Sequence, residues 1–156
     1  MFDTVLIAGL GLMGGSMAKT IKARTLSRVL GWNRTRATAE QALADGSIDA
    51  IATEALYKEA DLVIIGLYPQ ATVDWLLENM PKMKKGCVIV DMVGVKQFMV
   101  DHLEQAALDA GVHYVGGHPM AGREFSGLDY SLPTLFDGAS MIFVPTKSST
   151  ERVLEQ

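Results

Sequence analysis

A glycine-rich turn close to the N-terminus narrows the available folds more than any other feature of the chain. Residues 4–9, TVLIAG, form a short, largely β-branched run that ends in glycine, and a helix-compatible stretch follows over about 13–23. Between them Gly9, Gly11 and Gly14 stand in the spacing G-x-G-x-x-G. The spacing alone is weak, but a strand before it and a helix after it are the context in which it has a mechanism. Gly9 permits a tight turn, Gly11 lets backbone approach a pyrophosphate, and Gly14 lets the helix lie close to the strand. The N–H groups around Leu12 and Met13 would then face the phosphates, helped by the helix dipole.

The rest of the chain repeats this alternation. RVLGW is a second short strand, and TRATAEQALADG reads as a helix that Thr35 can cap and Gly46 can end. A weak strand is expected near Ile51. DLVIIGLYP is apolar on both faces, as a central parallel strand is. A helix over 72–80, the strand CVIVD, a helix over 96–110 and the strand VHYVGG follow, then a loop-rich segment after Gly117 and a last strand, SMIFVP. In the 96–110 helix, Phe98, His102, Ala106 and Ala110 share one face, with Met99, Leu103 and Ala107 on the adjacent one. The tail STERVLEQ begins another helix. This order predicts an α/β fold, a Rossmann-type doubly wound, mostly parallel sheet with helices on both faces and ligands at the carboxyl ends of its strands.

Composition adds bounds. The 156 residues suit one domain, 1–156, and a net charge of −4 argues against nucleic acid or an anionic membrane as partner. The single cysteine, Cys87, excludes an internal disulfide and suits a buried position in a reducing compartment. No apolar run reaches spanning length, no export signal is legible, and a soluble, cytoplasmic protein is expected. No metal-ligand cluster is expected.

At the end of the second strand, dinucleotide-binding domains commonly carry an acidic residue that bonds the adenosine ribose of NAD. Here the segment reads WNRT. Asn33 lacks the charge that repels a 2′-phosphate, and Arg34 and Thr35 can bind one, so NADP is favoured. Asn33 can also bond a free 2′-hydroxyl, which keeps NAD open. After the fourth strand, Leu67, Tyr68 and Pro69 are placed to line the nicotinamide side; alternatively Pro69 only ends the strand and Thr72 only caps the next helix.

His118, in GGHPMAGREFSG, is expected just past a strand at the same sheet edge. Imidazole ordinarily titrates near ~6.5 and can accept a proton at neutral pH, as loss of hydride from a carbinol requires. His102 and His113 are expected to be structural or solvated.

Residues 116–146, GGHPMAGREFSGLDYSLPTLFDGASMIFVPT, resemble the signature segment of prephenate dehydrogenases and their arogenate-using relatives, and with the glycine turn the likeness covers essentially the whole chain. The resemblance implies NAD(P)-dependent oxidative decarboxylation of prephenate to 4-hydroxyphenylpyruvate, in tyrosine biosynthesis. His118 would polarise or deprotonate the ring hydroxyl, and Glu124 matches the family's gating acid. Ser126 and Arg123 would lie nearby without an assigned role. The family commonly has D-x-x-S-x-K after the fifth strand. Here DMVGVK retains Asp91 and Lys96 but puts Gly94 in the serine's place, so a water or a backbone group would have to orient His118. The resemblance also implies a following all-helical domain that completes the substrate site and forms a homodimer. The chain is therefore read as the dinucleotide-binding half, able to hold cofactor but poorly active alone. Arogenate as substrate, another 6-phosphogluconate dehydrogenase-like oxidoreductase that would not need His118, and a non-catalytic dinucleotide-binding module are the alternatives.

Overall fold

The computed structural model describes residues 2–155. Runs of apolar, β-branched residues supply the strands β1 (Thr4–Ala8), β2 (Arg28–Trp32), β3 (Ala50–Ile51), β4 (Leu62–Ile65), β5 (Val88–Asp91), β6 (His113–Pro119) and β7 (Met141–Pro145). They form one seven-stranded sheet in the order β3-β2-β1-β4-β5-β6-β7. The first six are parallel to their neighbours, and β7 closes the edge antiparallel to β6. The expected doubly wound sheet is thus the observed one.

Successive residues of β1 show why helices must cover both faces. Leu6 and Ala8 join one apolar cluster, Val5 and Ile7 the other, and all four are buried. Helices α1 (Leu12–Arg24) and α2 (Arg36–Ala44) close the second cluster through Ala18, Ala39 and Ala42. A short α3 (Glu54–Tyr57), α4 (Pro69–Asn79) and α5 (Lys96–Ala110) cover the first, with Tyr57, Val73, Leu76, Met99, Leu103 and Ala107 facing inward. Of the two faces that periodicity marks on α5, the one carrying Met99, Leu103 and Ala107 is fully buried, and Phe98, Ala106 and Ala110 pack against its edge. His102 lies exposed, its Nδ1 2.8 Å from the Phe98 carbonyl, and His113 Nδ1 is 2.6 Å from that of Ser148; both have structural partners. A final short helix, α6 (Glu151–Leu154), follows β7.

Three expectations need correction. Pro69 does not end a strand: β4 stops at Ile65, and Pro69 opens α4 at its first turn, where a missing N–H costs nothing. Thr72 is therefore inside α4, its hydroxyl donating to the Leu67 carbonyl at 3.2 Å, and is not a cap. His118 is not past a strand but within β6, because β7 returns alongside and pairs Ile142 with it. Thr35 occupies the N-cap of α2 as expected, though its hydroxyl makes no capping bond.

Among the described residues no helix is long and apolar enough to cross a membrane, and no group of three or more potential metal ligands occurs.

Candidate active site

The carboxyl ends of β1, β4, β5 and β6 lie along one edge of the sheet, and the candidate residues gather there. At β1 the three glycines sit in three different surroundings. Gly9 has φ +93°, and a Cβ on it would lie 2.7 Å from the Gly66 carbonyl oxygen. A Cβ on Gly14 would lie 1.8 Å from the Gly9 carbonyl oxygen, so the helix meets the turn backbone to backbone. Gly11 has open space where a Cβ would be. Gly11 is also the N-cap of α1; it offers no side-chain cap, and the first turn holds no acid. The first N–H groups of the helix, those of Leu12 and Met13 among them, therefore face that opening without an intrahelical acceptor.

The open space continues into a cavity of about 550 Å³ lined by Gly9, Gly11, Asn33, Arg34, Thr35, Leu67 and Tyr68. Sequence reasoning named all of these. It missed Trp32, Gly66, Ala71, Asp74, Trp75 and Glu78, which complete the wall. Trp32 ends β2 beside Asn33, so position alone could have flagged it. Trp75 reaches the cavity from the second turn of α4, and only packing reveals that. The two indoles lie 5.4 Å apart.

Asn33 has a task that its place in the sequence did not disclose. Its Oδ1 accepts from Leu10 N–H at 2.9 Å, and its Nδ2 donates to the Thr35 carbonyl at 3.1 Å. The side chain thus ties the end of β2 to the glycine turn. Arg34 is exposed and, among the described residues, has no ion-pair partner, whereas neighbouring Arg36 is held by Glu40 at 2.8 Å.

At β5 and β6 the chain is packed more closely. Asp91 is fully buried and accepts from Tyr114 Oη at 2.6 Å, from Val93 N–H at 2.7 Å and from the Lys96 ammonium. Lys96 also donates to the Gly117 carbonyl at 2.6 Å. Burial pulls the Lys96 ammonium below the usual lysine range, although its bond to Asp91 works against this. Burial, then the Asp91 charge, push the Tyr114 phenol far up, so it stays a donor. The next residue after Gly117 is His118, half-buried, whose Cε1 would be 3.2 Å from a Cβ on Gly94. Gly94 and His118 are therefore neighbours, and the imidazole lies against the backbone where a longer residue would carry its side chain. Among the described residues no side chain hydrogen-bonds the ring.

Beyond β6, Arg123, Glu124 and Ser126 are exposed on the connecting loop. Arg123 donates to the Tyr130 carbonyl at 3.1 Å and lies 5.7 Å from the Phe125 ring centroid. Glu124 is not brought against His118 by any described hydrogen bond or ion pair. A separate apolar cavity of about 330 Å³, between Met17 and Phe143, has no titratable lining residue and offers no acid–base chemistry.

Comparison with known proteins settles the family. A family model described as the prephenate dehydrogenase nucleotide-binding domain matches residues 17–156. The chain belongs to that family. It is 36% identical to a prephenate dehydrogenase of Bacillus subtilis over 160 residues, covering all of this chain and 43% of the relative. It is 30% identical to a prephenate dehydrogenase of Lactococcus lactis over 152 residues, covering 94% of this chain and 42% of that one. A crystal structure of prephenate dehydrogenase from A. aeolicus in complex with hydroxyphenyl propionate and NAD+ superposes with a TM-score of 0.89 at 28% identity, covering 99% of this chain and 55% of the other. The chain thus spans under half the length of these two relatives and about half of the solved structure. The family match begins inside α1, after the glycine turn, while the His118 segment lies wholly within the matched region.

Proposed function

We propose that the chain is the cofactor-binding half of a prephenate dehydrogenase, and that it holds NADP in preference to NAD. The observation that carries the reading is the common edge. The open glycine turn at β1 and His118 at β6 both sit at carboxyl ends of parallel strands in the one sheet.

The fit to a dinucleotide rests on this chain's own groups. Gly11 leaves room above unpaired N–H groups at the start of α1, and Arg34, Thr35, Leu67 and Tyr68 line the cavity, with Pro69 next to Tyr68 at the start of α4. When bound, a nicotinamide would supply the two-electron acceptor for the hydrogen leaving the carbinol carbon. His118 takes the hydroxyl proton of that carbon onto a ring nitrogen, and the ring carboxylate departs as CO2, which leaves the product aromatic. Glu124, exposed on the loop after β6, is assigned the gating of substrate entry. Asn33 Oδ1 accepts from Leu10 N–H and its Nδ2 donates to the Thr35 carbonyl, which leaves one lone pair and one N–H of the amide for the ribose, while Arg34, exposed and without an ion-pair partner among the described residues, is assigned the 2′-phosphate.

The reading extends to a reducing, cytoplasmic setting, since the one thiol is buried and unpaired, and to a homodimer formed by parts of the protein outside this chain. The decisive experiment assays the longest natural form with prephenate and arogenate, each with NAD+ and NADP+. His118→Asn is expected to lower kcat on the order of 10²–10⁴-fold, whereas an unchanged rate would overturn the role of His118. The nucleotide preference is read in this chain by quenching of Trp32 and Trp75, both of which line the cavity. Arg34→Ala should weaken NADP+ on the order of 10- to 100-fold and leave NAD+ nearly unchanged, the loss of one charge-assisted contact. Tighter NAD+ binding by the unaltered chain would reverse the preference.

A further inference from the structure

We infer that Lys96 is a positioning residue for His118: held by Asp91, it fixes the peptide carbonyl immediately before the imidazole. The inference rests on the catalytic reading of His118, but it is carried by separate contacts.

The imidazole has no side-chain partner among the described residues, so its place is set through its own backbone. That backbone is gripped from one side by Lys96 Nζ, 2.6 Å from the Gly117 carbonyl oxygen. The ammonium is in turn held by Asp91, whose other oxygen is occupied by Tyr114 Oη at 2.6 Å. The two glycines before His118 are shaped to this grip. A Cβ on Gly116 would lie 3.0 Å from Lys96 Cδ, so the lysine stem runs across the strand where a side chain would be. A Cβ on Gly117 would lie 2.3 Å from the Asp91 carbonyl oxygen, which brings β6 against the end of β5. Asp91 has no exposure and the Lys96 side chain only 15%, so the pair is shielded from water and holds one geometry. Solvated lysines do not. A buried ion pair is a poor source of stability but a good source of fixed position, and misplacing a reacting group by about 1 Å can cost on the order of 10²-fold in rate.

The test replaces Lys96 by Met, which keeps the stem and removes the ammonium. Because that leaves the Asp91 charge buried without its partner, the double variant Asp91→Asn/Lys96→Met is made beside it; it loses the tether without stranding a charge. In this chain, NMR of the ¹⁵N-labelled imidazole reads the order of the His118 ring. Both variants are expected to show a ring that samples several rotamers, with dinucleotide affinity within about twofold of the parent. In the longest natural form, kcat should fall roughly 10- to 100-fold at nearly constant KM, and Lys96→Arg, which keeps charge and donors, should recover part of the loss. An unaltered ring signal and unaltered kcat in the double variant would overturn the inference. Activity that survives His118→Asn would instead sink the catalytic reading, leaving the NMR result on the tether to stand or fall by itself.

Discussion

At the scale of single residues, the glycines of this chain differ sharply in what they permit. Gly14 and Gly117 face backbone oxygens at 1.8 and 2.3 Å from a built Cβ, and backbone cannot step aside as a side chain can. Gly14→Ala and Gly117→Ala are each expected to destabilise the fold by about 3 kcal/mol or more, at or above the usual range for overpacking, as measured by denaturant unfolding. Gly94 faces only the His118 ring, 3.2 Å from a built Cβ. That ring is half-buried and unanchored by side chains, so it can yield by a few tenths of an ångström. Gly94→Ser should therefore change stability by less than about 1 kcal/mol, while shifting the imidazole resonances. A large loss of stability would mean that the ring is more tightly held than its contacts indicate. The fingerprint glycines were legible in the letters because their spacing follows from a local turn. The reasons for Gly116 and Gly117 were not, since the atoms that crowd a Cβ there come from Lys96 and Asp91, twenty or more residues away in the chain.

At the scale of elements, the parallel strands need their starts secured as well as their ends. Asp61 does this for β1. It accepts from Thr4 N–H at 2.8 Å and Asp3 N–H at 3.0 Å, and it pairs with Lys84. Burial alone would raise its carboxyl, but the hydrogen bonds from Lys84 and the two backbone N–H groups, with the lysine charge, hold it below the usual aspartate value of 3.8. A folded-state value below the unfolded one adds stability above about pH 4, and that stability is lost as pH falls through the lower, folded value. Asp61→Asn should cost about 1–2 kcal/mol at pH 7, and the gap from the parent should close as both are titrated into acid. A gap that stays constant below pH 3 would exclude this linkage. The connection after His118 is likewise held by an element, α1, which also begins at the glycine turn. Leu128 packs into the α1 cluster and would lie 2.7 Å from a Cβ on Gly15, while Ser16 Oγ accepts from Leu132 N–H at 3.0 Å. Leu128→Ala should cost about 2–4 kcal/mol and raise hydrogen exchange in the loop that carries Arg123 and Glu124.

At the scale of the whole molecule, Cys87 reports on global opening. It has no exposure, and burial pushes its thiol up to about 12, so native labelling by thiol reagents should be negligible and should proceed through unfolding. A dinucleotide at a hundred times its Kd stabilises the native state by about 2.7 kcal/mol and should slow labelling roughly 100-fold. Labelling at an unchanged rate would show that the dinucleotide does not bind the native chain. The same scale separates what could be read in advance from what could not. The alternation of strands and helices, the glycine turn, the two candidate faces of α5 and the edge on which His118 falls were all present in the sequence. Each depends on periodicity or turn chemistry within a window of a few residues. The inclusion of His118 in β6, the Trp75 wall of the cavity, the commitment of Asn33 to Leu10 and the grip of Lys96 on Gly117 came only with the folded chain. Those contacts join segments separated by about twenty residues or more, and which distant groups meet is set by how helices and strands pack rather than by any local pattern.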